Sequence, residues 1–209
     1  EYIFKNLKPE LVEKKDPPII TSKTYIKFKL DWSISSEIPI FEILLTIEKK
    51  LNVKHVILST SGTASLMMAT TALEVNSKTR VMTTNLTWIA TINPALFVNA
   101  NIKVIDTYTK NQCINFEKLI KEIKVFKPDI LYLVHLNGDI FYNVELDRLK
   151  KSMGFLIIED AAQSFLAKQK NLYCGTKYEI GCFSLGITKL INMIYGGFCT
   201  TNSTKLYNK

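Results

Sequence analysis

No run of about 18 apolar residues occurs in the 209-residue chain, so no segment reads as a membrane-spanning helix. The first residues lack the charged-then-apolar pattern of an export signal, and the sequence opens on Glu1, which points to a trimmed or partial chain. Four cysteines are present, Cys113, Cys174, Cys182 and Cys199, too widely spaced to form the ligand pairs of a structural zinc site. A Gly-x-Gly-x-x-Gly turn is also missing, which counts against a Rossmann dinucleotide binder. The lysines are scattered rather than gathered into a basic arm, and no repeat or low-complexity segment stands out. These absences leave a reduced, cytoplasmic globular protein as the expectation, with incidental thiols, no metal, no membrane and no nucleic-acid partner.

What remains is enough for a substantial core: 47% of residues are hydrophobic. Lys and Arg number 27 against 19 Asp and Glu, for a net charge of +8. This excess is read mainly as solubility, with a basic cleft for phosphorylated or nucleotide-bearing substrates as the functional alternative. Residues 1–35, with Pro17-Pro18 and little periodicity, read as an N-terminal arm, and residues 36–209 as one larger domain. In that domain strands and helices alternate. Strands are expected at Lys54 to Leu58, Arg80 to Thr84, Ile102 to Asp106, Ile130 to His135 and Phe155 to Glu159. Helices are expected at Ala64 to Leu73, Thr87 to Val98, Phe116 to Phe126 and Glu145 to Met153, with Pro94 kinking or shortening the second. Short strands near Cys182 to Leu185 and Phe198 to Thr201 follow. Such alternation with continuous apolar strands implies an α/β fold whose central sheet is mostly parallel and covered by helices.

Ligands of open α/β sheets collect outside the carboxyl ends of the strands, and the chemically capable residues fall there. Ser61-Gly62-Thr63-Ala64 leads into a helix, whose backbone N–H groups and dipole suit a phosphate, although Ser before a helix is also an ordinary cap. Trp88 suits stacking on an aromatic ring, or else the core. Glu159-Asp160 ends an apolar strand, so one of the two carboxylates must face the crevice, where a buried charge needs a cationic partner. Gln163 can hydrogen-bond a ring oxygen, and Ser184 can add a hydroxyl to a phosphate. Lys189, 29 residues after Asp160, lies in a weakly charged run from Ile180 to Thr201 with Cys182, Phe183, Leu185, Ile187, Leu190, Ile191 and Ile194, which is expected to desolvate its amine and sharpen it as a nucleophile.

The ordered set Ser61-Gly-Thr-Ala-Ser-Leu66, Leu86-Thr-Trp-Ile-Ala-Thr91, Val134-His135 with Gly138, Glu159-Asp-Ala-Ala-Gln163, Phe183-Ser184 with Thr188-Lys189, and Gly196-Gly197 resembles the DegT/DnrJ/EryC1/StrS sugar aminotransferases over residues 32 to 202. The resemblance implies an aspartate aminotransferase-like, fold type I large domain that binds pyridoxal 5'-phosphate. Such enzymes are usually homodimers and move an amino group from glutamate to a nucleotide-linked keto-sugar. By position, Lys189 resembles the lysine bonded to the cofactor, Asp160 the partner of the pyridine nitrogen, and Gln163 the residue at the ring oxygen. Gly62, Thr63, Ala64 and Ser184 resemble the phosphate contacts, and Trp88 the stacking aromatic. Two departures stand out. Tyr195 replaces the glutamate usual before the Gly-Gly pair, and the family's C-terminal small domain is expected to be missing after Lys209. A non-catalytic relative serving as an interaction or regulatory protein is therefore the competing reading.

Overall fold

The computed structural model describes residues 9–10, 27–28, 40–107 and 114–209. Most of the expected arm, residues 1–35, and Cys113 lie outside the described residues. Strands β1 (Pro9–Glu10) and β2 (Lys27–Phe28) pair antiparallel. From there the chain runs α1 (Ile40–Leu51), β3 (His55–Ser59), α2 (Gly62–Ala72), β4 (Arg80–Thr84), α3 (Asn93–Phe97), β5 (Asn101–Ile105), α4 (Phe116–Phe126), β6 (Ile130–Val134) and α5 (Val144–Met153). It closes with β7 (Leu156–Asp160), the hairpin β8 (Lys168–Gln169) and β9 (Leu172–Tyr173), β10 (Ile180–Ser184), β11 (Gly197–Thr201) and α6 (Thr204–Tyr207).

Seven strands form the central sheet in the order β3-β11-β10-β7-β6-β4-β5. Strand β11 is antiparallel to both β3 and β10, and the pairs β10/β7, β7/β6, β6/β4 and β4/β5 are parallel. Six strands therefore point one way, and their carboxyl ends share one edge. The mostly parallel, helix-covered sheet expected from the alternation is what forms.

Period-two alternation divides each strand between two packed faces. Ile130, Tyr132, Ile158, Ile180 and Cys182 pack with Leu66 and Ala69 of α2 on one side. Leu131, Leu133 and Ile157 pack with Leu119 and Ile123 of α4 and Leu146 of α5 on the other. Each fully buried Leu or Ile contributes about 1.5–3 kcal/mol, so both helical layers are held by the sheet. A third cluster joins Leu51, Val53 and Val56 to Phe183 and Phe198, whose rings stack at 4.4 Å. Burial pushes the Cys174 and Cys182 thiols well above their ordinary range, so both stay protonated. No helix of the described residues is long and apolar enough to cross a membrane.

The helix expected from Thr87 to Val98 does not form as one piece. A 3₁₀ turn covers Ile89–Thr91 and α3 restarts at Asn93, with Pro94 in its first turn. A continuous helix would need an N–H from Pro94 to the Ala90 carbonyl, which proline lacks, and its ring would strike that carbonyl. In the first turn the missing donor costs nothing. Elsewhere the helices end on conventional signals: Asn143 caps α5 by accepting from the Glu145 and Leu146 N–H groups, and Gly154 at φ +80° ends it.

Candidate cofactor site at the carboxyl edge

The strand register puts Val134, Asp160 and Cys182 level with one another, and Ser59, Gly197 and Ser184 likewise. The loops that carry the candidate residues therefore leave the sheet side by side.

The residues from Gly62 onward form the first turn of α2 rather than a loop before it. Ser61 caps the helix by accepting the Ala64 N–H at 3.1 Å. The N–H groups of Gly62 and Thr63 lie in the same first turn, at the positive end of the dipole, beside the Gly196 bridge to Ser61. A Cβ on Gly62 would sit 2.6 Å from Ser184 Cβ, so only glycine lets the helix start approach β10 this closely. Ser184 accepts the Gly186 N–H at 3.4 Å and keeps its own hydroxyl proton available. Two candidate phosphate contacts, Gly62 and Ser184, are thus in direct contact.

Strand β7 resolves which of its terminal carboxylates faces the crevice. Glu159 is fully buried and turned away from it, and it takes five donors: His135 Nε2 at 3.0 Å, the Tyr142 hydroxyl at 2.6 Å, and the backbone N–H groups of Gly175, Lys177 and Tyr178 at 3.0, 2.8 and 2.7 Å. Burial alone would raise its pKa, but bonding to His135, Tyr142 and the Tyr178 N–H outweighs this and holds the carboxyl below its usual range. The Phe141 N–H donates to His135 Nδ1 at 3.2 Å, so Nε2 carries the imidazole proton that Glu159 accepts. Burial and the nearby Glu159 charge push the Tyr142 hydroxyl upward, so it remains a donor.

Asp160 points the other way, toward α2 and the 3₁₀ turn. It accepts the Thr91 hydroxyl at 2.6 Å and the Ala162 N–H at 3.1 Å. Although it is 5% exposed, no cationic side chain among the described residues lies within ion-pair distance. A buried carboxylate that lacks its counter-charge at the carboxyl edge of the sheet fits a cationic ligand. Gln163, exposed, accepts the Asn137 N–H at 3.1 Å through its carbonyl oxygen and leaves its amide N–H groups open. Trp88 is 72% exposed, so the core alternative for it is excluded.

Lys189 sits half-buried in the loop between β10 and β11, its backbone N–H on the Gly186 carbonyl at 2.9 Å. The loop is anchored at its base by Leu185 N–H to Gly196 O and Gly196 N–H to Thr60 O, at 2.9 and 3.0 Å. Tyr195 is 82% exposed and takes no part in that anchor through its side chain. The expected apolar surroundings of Lys189 are met only in part: Cys182, Phe183 and Leu185 are buried, but Ile187, Leu190, Ile191, Met193 and Ile194 all face outward, Leu190 at 83% exposure. The loop satisfies its backbone locally, with Asn192 bonding the Ile187 carbonyl and the Ile194 N–H, and so has no periodic face to turn inward. Among the described residues, no cluster of three His, Cys, Asp or Glu side chains could hold a metal ion.

The DegT/DnrJ/EryC1/StrS aminotransferase family model matches residues 37–209. The chain belongs to that family. GDP-perosamine synthase of Escherichia coli O157:H7 is 28% identical over 158 residues, covering 76% of this chain and 43% of its own. The UDP-4-amino-4,6-dideoxy-N-acetyl-beta-L-altrosamine transaminase of Campylobacter jejuni serotype O:23/36 is 30% identical over 161 residues, covering 76% and 42%. A DegT/DnrJ/EryC1/StrS aminotransferase from Brucella abortus of known crystal structure superposes with a TM-score of 0.72 at 27% identity, covering 79% and 46%. The chain thus spans about two fifths of the length of the curated relatives it matches. The family frame also accounts for the α/β architecture as that of an aspartate aminotransferase-like large domain.

Sequence patterns did not single out Thr91, His135 as a partner of Glu159, or Tyr142. The signal for Thr91 was available in the Thr87–Thr91 spacing ahead of Pro94, but only the broken helix turns it toward Asp160.

Proposed function

We propose that residues 36–209 bind pyridoxal 5'-phosphate as part of a transaminase that moves an amino group from glutamate to a nucleotide-linked keto-sugar. The observation that carries this reading is the buried carboxylate of Asp160 without a cationic partner among the described residues, on the same sheet edge as the helix start at Gly62 and Thr63 and the lysine loop. When bound, the cofactor supplies an aldehyde that condenses with amines and a ring that accepts electrons. Asp160 would hold the proton on the ring nitrogen. Gly62, Thr63 and Ser184 would hold the phosphate, with Ala64, whose N–H is taken by Ser61, completing the turn. Trp88 would cover one ring face, and Gln163 would donate to the ring oxygen through its open amide. Lys189 would bond the aldehyde carbon at rest, and once released would take and return the substrate proton as a general base and acid.

Relatives named for GDP- and UDP-linked sugars support the nucleotide-sugar part of the reading. The net charge of +8 suits such anionic substrates. A second copy of the chain would cover the exposed apolar loop 187–195, which is the support for a homodimer.

Mixing the purified chain with pyridoxal phosphate is expected to give a visible absorption band that glutamate converts to the spectrum of the aminated cofactor. A band that glutamate leaves unchanged would favour the non-catalytic relative, with the apolar loop as its interaction surface. No band at all would reject cofactor binding.

A further inference from the structure

Two threonine hydroxyls form a chain that ends on Asp160. Thr91 Oγ1 lies 2.6 Å from Asp160 Oδ2, and Thr87 Oγ1 lies 2.6 Å from Thr91 Oγ1. An ionised carboxylate only accepts, so Thr91 donates its one proton to Asp160, and Thr87 must then donate to Thr91. Thr91 is fully buried, whereas Thr87 is half-buried. The Thr91 N–H bonds the Trp88 carbonyl at 3.0 Å, closing the 3₁₀ turn. In such a turn side chains three apart eclipse, so one short element carries both the exposed Trp88 and the buried donor beneath it. With the Ala162 N–H on Oδ1, each oxygen of Asp160 takes one protein donor and keeps one lone pair open.

We infer that Thr91, backed by Thr87, is a positioning residue: it fixes the Asp160 carboxylate and, by bonding its charged form, keeps a shared proton on the ring nitrogen of the bound cofactor. The inference rests on the pyridoxal phosphate reading above. No covalent step is involved, only the placement of one proton between two groups. A charge-assisted O–H donor stabilises the carboxylate more than an ordinary hydroxyl bond would, so its loss should show in the ring.

The test uses the full chain loaded with pyridoxal phosphate labelled with ¹⁵N at the ring nitrogen, followed by NMR across pH. Wild type is expected to keep the ring nitrogen protonated through neutral pH. Thr91→Val, which makes Asp160 the stronger base, should draw the shared proton toward the carboxylate and shift the ring ¹⁵N signal at neutral pH from the protonated position toward that of the unprotonated ring. Thr91→Ser should restore the wild-type profile, and Thr87→Val should fall between. A purely structural role would lower the melting temperature of Thr91→Val without moving the ring signal, and that result overturns the inference. Should Thr91→Val not fold, a wild-type ring profile in Thr87→Val overturns the chain of donors instead. If wild type takes up no cofactor, the functional reading fails and this inference with it.

Discussion

Glu159→Ala is expected to destabilise the fold by about 3–5 kcal/mol, the cost of removing one partner from a buried charged network. That is a large part of the roughly 5–15 kcal/mol that holds a domain together. The cost comes from what is left behind. His135 Nε2–H, the Tyr142 hydroxyl and three backbone N–H groups all aim at the carboxylate; without it the Tyr142 hydroxyl keeps the Tyr173 carbonyl at 2.9 Å, but the His135 N–H and the three backbone N–H groups lose their acceptor. Glu159→Gln should fare only slightly better, because its amide NH₂ must face donors at one of the two oxygen positions. The acid response follows from the depressed folded pKa of Glu159. A carboxyl whose pKa is lowered by folding contributes stability above its unfolded value of about 4.3, and loses it as pH falls through the lower folded value. Urea unfolding at pH 7 and again below pH 4 should therefore show wild type losing stability in acid, with a flatter response in Glu159→Gln. A Glu159→Ala midpoint equal to that of wild type at pH 7 would contradict this account.

Asp160→Asn is expected to leave the fold nearly intact and to slow glutamate-driven conversion of bound cofactor by about a hundred- to a thousandfold, the usual cost of removing a preorganised charge partner. The asparagine carbonyl can still accept from Thr91 or from the Ala162 N–H, so local geometry survives. What it lacks is the negative charge that keeps a ring nitrogen protonated and the ring able to accept electrons. Stopped-flow absorbance after mixing cofactor-loaded protein with glutamate measures the rate, and the melting temperature checks the fold. An unchanged rate would remove Asp160 from the proposed role.

The two adjacent carboxylates show how far the sequence could be read. The apolar run before them marked β7 to within a residue, and it required one carboxylate to face the crevice. The choice between them was set by Gly175, Lys177 and Tyr178, whose contribution is backbone N–H and carries no side-chain signature. Pro94 announced a break in the helix after β4, but not that the broken turn would press Thr91 against Asp160. The Lys189 loop misled in the opposite direction. Its apolar composition suggested burial, yet a turn has no repeating face, and Ile187, Leu190 and Ile194 project outward. The hairpin β8–β9 also escaped notice, because its strands are two residues each, too short for an alternation, and Lys170, at φ +56°, opens its turn ahead of Asn171.

The central claim is that Lys189 is the amine that holds the cofactor. Borohydride reduction of the chain loaded with pyridoxal phosphate, followed by proteolysis and peptide mass spectrometry, tests it directly. The account predicts a stable cofactor adduct on the peptide containing Lys189, lost in Lys189→Ala. Adducts spread over the surface lysines, or an undiminished adduct in Lys189→Ala, would contradict it.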